Sequence, residues 1–474
     1  MSNAFGTWWR SGTVWVCLLV AAAVSYVVAR AAAVSFTWDE SWTFIHHILP
    51  GELYPVQHGL MSGNHHLLNV WGMSFFAKLF GQGELALRLP NVLAFVVYAL
   101  AAARMALRAG SAARSVTGFV LLLAHPYLLE FFGLARGYGM SIGFLLMSLW
   151  HLVRWAEDQG PRRHGALMFL FAGLSVLSHY IMLNYLAALG IVFIVRVFKD
   201  PGRTAHGHLV RLPVLISVVV LAIVAPQVAG IVHGGGIIWG CGEFWSCAVS
   251  GLLLRLAGMD LDTALFGPLV LLGAFFLLEA ALQRWDKNHR AAATVANATV
   301  LCAMLIAAEH FLLGMEWPRT RTALYFIPML MVVLVLWLQA STTHRPWLWW
   351  PAAFLAMLFV ANTLGQANLA RTSDWPEAAE VGHMVELVRT DRTELPSSRR
   401  AVLSAGPVSW GSLGYYFHRL HITDIDTVRC WPNEAHQPSN YYILEPNGQS
   451  FDTVGAELVF RSASNVELYR RRAR

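Results

Sequence analysis

Charge is scarce in this chain. Asp, Glu, Lys and Arg make up 13% of the 474 residues, whereas 56% are hydrophobic, and the mean hydropathy is +0.50. A soluble domain of that composition could not hide its apolar surface from water, so the chain reads as a polytopic membrane protein. Cysteine is scarce too, and the five present do not form a metal pattern. Cys17 and Cys302 fall inside apolar runs, where a thiol behaves as a small apolar group, and Cys430 has no clear partner. Cys241 and Cys247 share one loop, where a disulfide can form in an oxidising compartment. No repeated half is visible, which argues against the inverted repeats of secondary transporters. The formal charge of +6 and pI of about 9.2 do not imply a nucleic-acid partner. The basic residues are spread over short loops between apolar runs, where they report orientation.

The long apolar runs place helical spans near 12–34, 87–107, 116–134, 138–156, 165–179, 181–198, 212–232, 264–283, 291–313, 322–339 and 347–365, eleven in all. The first has no acid and only Arg30 near its end, and it is too long for the apolar core of a cleavable signal. The run 165–198 is unbroken, but basic residues at both ends require two crossings or none, so it is divided at Ser178-His179-Tyr180. Arg104, Arg108, Arg114, Arg154, Arg162, Arg163, Lys199, Arg203, Arg211, Arg284, Lys287, Arg290 and Arg345 lie on one side with Arg10. The positive-inside rule makes that side cytoplasmic. The segment 35–86, the loop 233–262, the turn 314–321 and everything after about 366 then lie outside, as expected of a bacterial inner-membrane protein.

Charge, Pro, Ser and Asn return after residue 366, dividing the chain into a transmembrane domain, 1–366, and a soluble extracytoplasmic domain, 367–474. The second domain alternates a helix around 376–390, a strand at 400–405, a helix around 407–419, a strand near 440–445 and a hairpin from 457–461 to 465–470. That is a small α/β unit without a Gly-rich phosphate loop, a Cys-x-x-Cys pair or a nucleophile elbow, so binding or support is its expected role.

Chemistry gathers at the outer ends of the spans. Asp39 and Glu40 stand in Phe36-Thr-Trp-Asp-Glu-Ser-Trp42, just past the first span, as adjacent carboxylates at a membrane surface. Asn64, His65, His66 and Asn69 open an amphipathic stretch. Arg136 and Tyr138 occupy the turn Ala135-Arg-Gly-Tyr-Gly139, and His179 and Tyr180 the next break. Glu309, His310, Glu316, Arg319 and Arg321 surround Gly314-Met-Glu-Trp-Pro-Arg-Thr-Arg-Thr322. Carboxylate, imidazole and guanidinium at one depth suit a reaction on an anionic lipid. Each residue also has a plain structural use. Asp and Glu cap helices, histidines sit at interfaces, and arginines snorkel or satisfy turn carbonyls. His179, Glu309 and His310 have no defined metal-ligand spacing. A divalent metal is compatible with the carboxylates, and no metal site is assigned.

In order, these features resemble the GT-C class of membrane glycosyltransferases, specifically the protein O-mannosyltransferase and aminoarabinose-transferase-like superfamily. The resemblance rests on Trp38-Asp39-Glu40 after a first span, Asn64-His-His-Leu-Leu-Asn69, Glu84-Leu-Ala-Leu-Arg-Leu-Pro90, Ala135-Arg136-Gly-Tyr138 and Pro318-Arg319-Thr-Arg321-Thr-Ala-Leu-Tyr325. It covers roughly residues 10–330. His65-His66 stands where many relatives carry His-Pro, and the C-terminal domain matches no known acceptor module. The resemblance implies transfer of a sugar, with inversion, from a polyprenyl-phosphate donor to a hydroxyl of a glycan, lipid or protein on the outer side of the bilayer. Asp39 would then be the base, with Glu40 beside it. Asn64, His65, His66, Arg136, Tyr138, His179, Arg319 and Arg321 would bind donor or acceptor. The rival readings are a transporter or flippase of a sugar-linked lipid, and a non-catalytic sugar-lipid binding or scaffold protein.

Overall fold

A computed structural model describes residues 12–55, 63–157, 163–199, 208–234, 240–251, 273–274, 276–282, 289–341, 345–393, 400–430, 439–446 and 455–471. Seven described helices, or eight with one bent pair, are long and apolar enough to cross a membrane. Large apolar side chains such as Leu215, Val218, Phe354, Met357 and Leu364 stay exposed along them, as a lipid-facing surface requires. Helices Gly12–Ala33, Glu84–Ala106, Gly137–Glu157, Arg163–Ser178, Leu183–Lys199, His208–His233, Arg290–Leu313, Phe326–Ser341 and Trp349–Gln366 correspond to nine of the expected spans. The expected span 264–283 falls mostly outside the described residues. The run 165–198 does break at His179, whose extended backbone (φ −158°) separates two helices.

One expected span is not a single helix. Ala112–Leu123 and Pro126–Phe132 meet at a 68° bend. Pro126 disfavours helical geometry in the residue before it, and His125 is extended at φ −123°, ψ 108°. The bend brings Glu130 back to the end of the first span, where Arg30 lies 3.6 Å away.

Two short antiparallel strands, β1 (Gly240–Cys241) and β2 (Trp317–Pro318), pair between loops, and Cys241 is disulfide-bonded. After the last span the chain forms helices Val381–Thr393 and Pro407–Arg419 and a sheet. Its strands are β3 (Ala401–Ala405), β4 (Ile425–Arg429), β5 (Tyr441–Leu444), β6 (Ala456–Arg461) and β7 (Glu467–Arg471), in spatial order β4-β3-β5-β7-β6. β3 runs parallel to β4 and β5, while β5-β7 and β7-β6 are antiparallel. β4 is absent from the sequence reading. Its Ile-Asp-Thr-Val-Arg is short and buries only Ile425 fully, so its hydrophobic alternation is weak.

Helix Pro407–Arg419 seats this domain on the segment that carries Asp39 and Glu40. The Phe36 N–H donates to Tyr416 Oη (2.7 Å), the Tyr415 N–H to Ser41 Oγ (3.2 Å), and Tyr415 Oη to the Gln82 carbonyl (2.7 Å). Phe36 and Tyr415 stack at 4.1 Å. Gly411 lies so close to the Trp38 ring that a Cβ would overlap it. Gly411→Ala should therefore lower the unfolding midpoint in detergent, by an equivalent of about 1–3 kcal/mol. Gly365→Ala, where nothing stands within 4 Å, should leave it nearly unchanged. An equal effect of the two would show that the domain contact is loose.

Candidate active site

The helix Trp38–Thr43 begins with a capping box. Glu40 Oε2 accepts the Thr37 N–H (2.9 Å), and Thr37 Oγ1 accepts the Glu40 N–H (3.4 Å). The Glu40 carboxylate has further partners. Arg88 donates Nε to Oε1 (2.8 Å) and Nη2 to Oε2 (2.7 Å), and the Ala135 N–H donates to Oε1. Arg88 also donates to the Ala31, Val34 and Ser35 carbonyls at 3.1, 2.6 and 3.1 Å, satisfying the end of the first span. Both side chains are fully buried. Glu40, expected beside the base, thus has its oxygens occupied and turned into the protein.

Neighbours on a helix are rotated by roughly 100°, so Asp39 faces elsewhere. Its Oδ1 accepts from Asn64 Nδ2 at 3.1 Å. Its Oδ2 is buried and lacks an aligned hydrogen-bond donor. That oxygen stands 3.3 Å from Arg136 Nη2 and 3.7 Å from Arg321 Nη2, distances at which the attraction is electrostatic. Arg136 is wholly buried and held by Asn64, donating to its Oδ1 and, at 3.4 Å, to its backbone carbonyl. Its Nε has no hydrogen-bond partner among the described residues. Arg321 is 23% exposed and reaches outward. It donates Nε to Tyr138 Oη (3.2 Å) and Nη1 to Asp374 Oδ2 (3.3 Å), and lies over the Trp375 ring at 4.8 Å.

The structure therefore brings Asp39, Asn64, Arg136, Tyr138 and Arg321 together. His66, Tyr138 and His179 form one wall, with ring centroids 4.6–5.2 Å apart. Gly137 belongs to that wall's backbone, and a Cβ there would strike the Ser178 carbonyl and the His66 ring. His65 instead packs against His47 at 4.5 Å. Arg319 is exposed and joins no ion pair with a described residue. Between the two arginines Thr320 takes a left-handed φ of 38°, a strained value for a β-branched residue, and the chain turns there. Glu309 accepts from Asn184 Nδ2 at 3.0 Å, and His310 Nδ1 contacts the Met315 carbonyl at 2.6 Å, so neither joins His179. Among the described residues no group of three His, Cys, Asp or Glu is placed to hold a metal. Arg255, a further basic residue of the loop 233–262, lies outside the described residues. Sequence reasoning missed Arg88 as a partner of Glu40, and Tyr127, Asp374 and Trp375 altogether. Leu-Arg-Leu-Pro held the only signal for the first, and Ser373-Asp-Trp-Pro376 carries no recognised motif.

Residues 64–229 match the family described as dolichyl-phosphate-mannose-protein mannosyltransferase. The fold is similar to that of ArnT from Cupriavidus metallidurans in the apo state, with a TM-score of 0.54 at 13% identity, over 96% of this chain and 98% of that one. The same protein bound to undecaprenyl phosphate gives 0.51 at 14% identity over 97% and 98%. Comparison with curated proteins gives no match. The resemblance to GT-C glycosyltransferases drawn from the sequence is borne out, as are the helical membrane fold with its small C-terminal sheet domain and the glycosyltransferase class.

The histidines bear on stability. Burial pushes His65 down to about 3 and His47 down to about 4 from an ordinary 6.5; His47 lowers His65 further, and His46 lowers His47. The unfolded chain binds these protons below about pH 6.5 and the folded protein does not. Stability should thus fall as pH drops from 6.5 toward 4, by on the order of a few kcal/mol. His65→Gln should flatten that slope in a pH series of unfolding midpoints; an unaltered slope would place the proton uptake elsewhere.

Proposed function

We propose that this protein is an inverting glycosyltransferase that moves a sugar from a polyprenyl-phosphate donor to an acceptor hydroxyl on the outer side of the membrane. The observation that supports it most is the pairing of Asp39 Oδ2, buried and without an aligned donor among the described residues, with a partly exposed arginine 3.7 Å away. An acceptor hydroxyl needs a base beside the anomeric carbon, and a leaving lipid phosphate needs a cation beside its oxygens. One basin supplies both.

In the reaction the acceptor oxygen attacks the anomeric carbon while the bond from that carbon to the phosphate oxygen breaks. The acceptor proton passes to the Asp39 carboxylate. The bonding pair leaves with the phosphate, whose growing charge Arg321 meets with its planar fork. Arg136, buried and bound to Asn64, orients Asp39. Glu40 and Arg88 fix the helix that presents it. His66, Tyr138 and His179 form the wall against which a sugar would lie.

Asp39→Asn should reduce transfer by at least about 100-fold, because an amide cannot take the proton at neutral pH. Folding and donor binding should stay near those of the parent. Purified protein with polyprenyl-phosphate sugars extracted from its own membranes, followed by mass spectrometry of products, measures this. Full turnover by the variant would remove the base assignment. Arg321→Lys should lose part of the activity and Arg321→Ala more, with weaker donor binding. Arg319→Ala should do less than either.

The orientation has its own test. By the positive-inside rule the basic loops favour a cytoplasmic N-terminus and an outer C-terminal domain. A reporter fused to the C-terminus that is active only outside the cytoplasm should work, and one active only in the cytoplasm should stay silent.

A further inference from the structure

Arg321 is shared between two carboxylates. Its Nη2 lies 3.7 Å from Asp39 and its Nη1 donates to Asp374 at 3.3 Å. Asp374 is nearly buried, 4% exposed, and its Oδ2 also accepts from Tyr127 Oη at 2.8 Å. The chain around Asp374 is pinned. Arg30 donates to the Asn368 and Arg371 carbonyls at 2.6 and 3.0 Å, and Ser373 donates its N–H and hydroxyl to Glu130 at 2.8 and 2.9 Å. Asp374 therefore cannot follow Arg321 if the arginine moves.

Among the described residues, the ion pairs around Arg321 join two positive side chains, Arg136 and Arg321, to two negative ones, Asp39 and Asp374, while Glu130 beside them is matched by Arg30. A polyprenyl-phosphate sugar carries one negative charge on its phosphodiester. The phosphate left after transfer carries close to two. Two arginines opposed by Asp39 alone would favour the spent phosphate over the donor and hold the product in place. We infer that Asp374 is a positioning residue that holds the outer edge of Arg321 and tempers its charge, so that the site takes the donor and releases the deglycosylated carrier, a lipid phosphomonoester. This inference rests on the reading of Arg321 as the phosphate ligand.

Undecaprenyl phosphate is the probe, with the full-length protein in nanodiscs. Asp374→Asn keeps the shape and the Tyr127 hydrogen bond but removes the charge, so the variant should bind the probe roughly tenfold more tightly. Its turnover should slow, and added undecaprenyl phosphate should inhibit it more strongly than the parent. A residue that only supports the fold would give weaker binding, never tighter. Equal or weaker binding at a parental unfolding midpoint overturns the assignment of Asp374 and leaves the glycosyltransferase reading standing. Absence of probe binding by the unaltered protein overturns both. Should Asp374→Asn not assemble, Asp374→Ser carries the same expectation. Failure of both to fold also overturns the assignment, because a charge-tempering residue is dispensable for folding.

Discussion

The Arg88 guanidinium has five N–H groups, and the structure gives it five bonds. Two go to Glu40 and three to the carbonyls of Ala31, Val34 and Ser35. No other side chain presents that fork, and lysine would leave at least two acceptors without donors in a dry place. Once Arg88 is buried its charge must be matched, and Glu40 matches it. Removing either partner would strand the other, at a cost of about 3–5 kcal/mol. The end of the first span, the start of the next helix and the carboxylate pair are thereby fixed to one another. Every distance around Asp39 depends on that fixation.

Two adjacent carboxylates consequently divide their labour. Glu40 is saturated, so its contacts are committed to the fold. Asp39, one residue away and facing another direction, keeps an oxygen that no donor satisfies. The plain structural reading of the Asp-Glu pair as a helix start is true of Glu40, which closes the capping box with Thr37. It is not the whole account of Asp39, whose carboxylate faces Arg136 and Arg321 and makes no cap. The arginines divide in the same way. Arg136 is sealed in by Asn64, whereas Arg321 remains partly open and shared.

Much of this was legible in the sequence because a bilayer imposes length. Helix positions followed from apolar runs and basic loops, and even the break at His179 followed from the need for two crossings. The bend at Pro126 was legible in principle, since His125-Pro126 carries the signal, but the run's length masked it. Asp39, Arg136, Tyr138 and Arg321 were found because charged residues at span ends are costly without a use. Arg88 was visible as part of a motif and silent as to its partner, 48 residues away. Asp374 was invisible for a related reason. Its neighbours in space, Arg321 and Tyr127, are 53 and 247 residues away, and no local pattern encodes such closure.

That closure also changes how the C-terminal domain should be regarded. Its sheet carries no catalytic signature, yet its helix Pro407–Arg419 lies against the carboxylate segment through Tyr415, Tyr416 and Gly411, and the linker before it delivers Asp374 to Arg321. Residues 367–419 thus touch the basin from two sides, one through packing and one through charge. A truncation after the last span would remove Tyr416 from the Phe36 amide and Asp374 from Arg321 together. The domain is therefore coupled to the proposed site by contacts that fix its components, whatever it binds on its free surface.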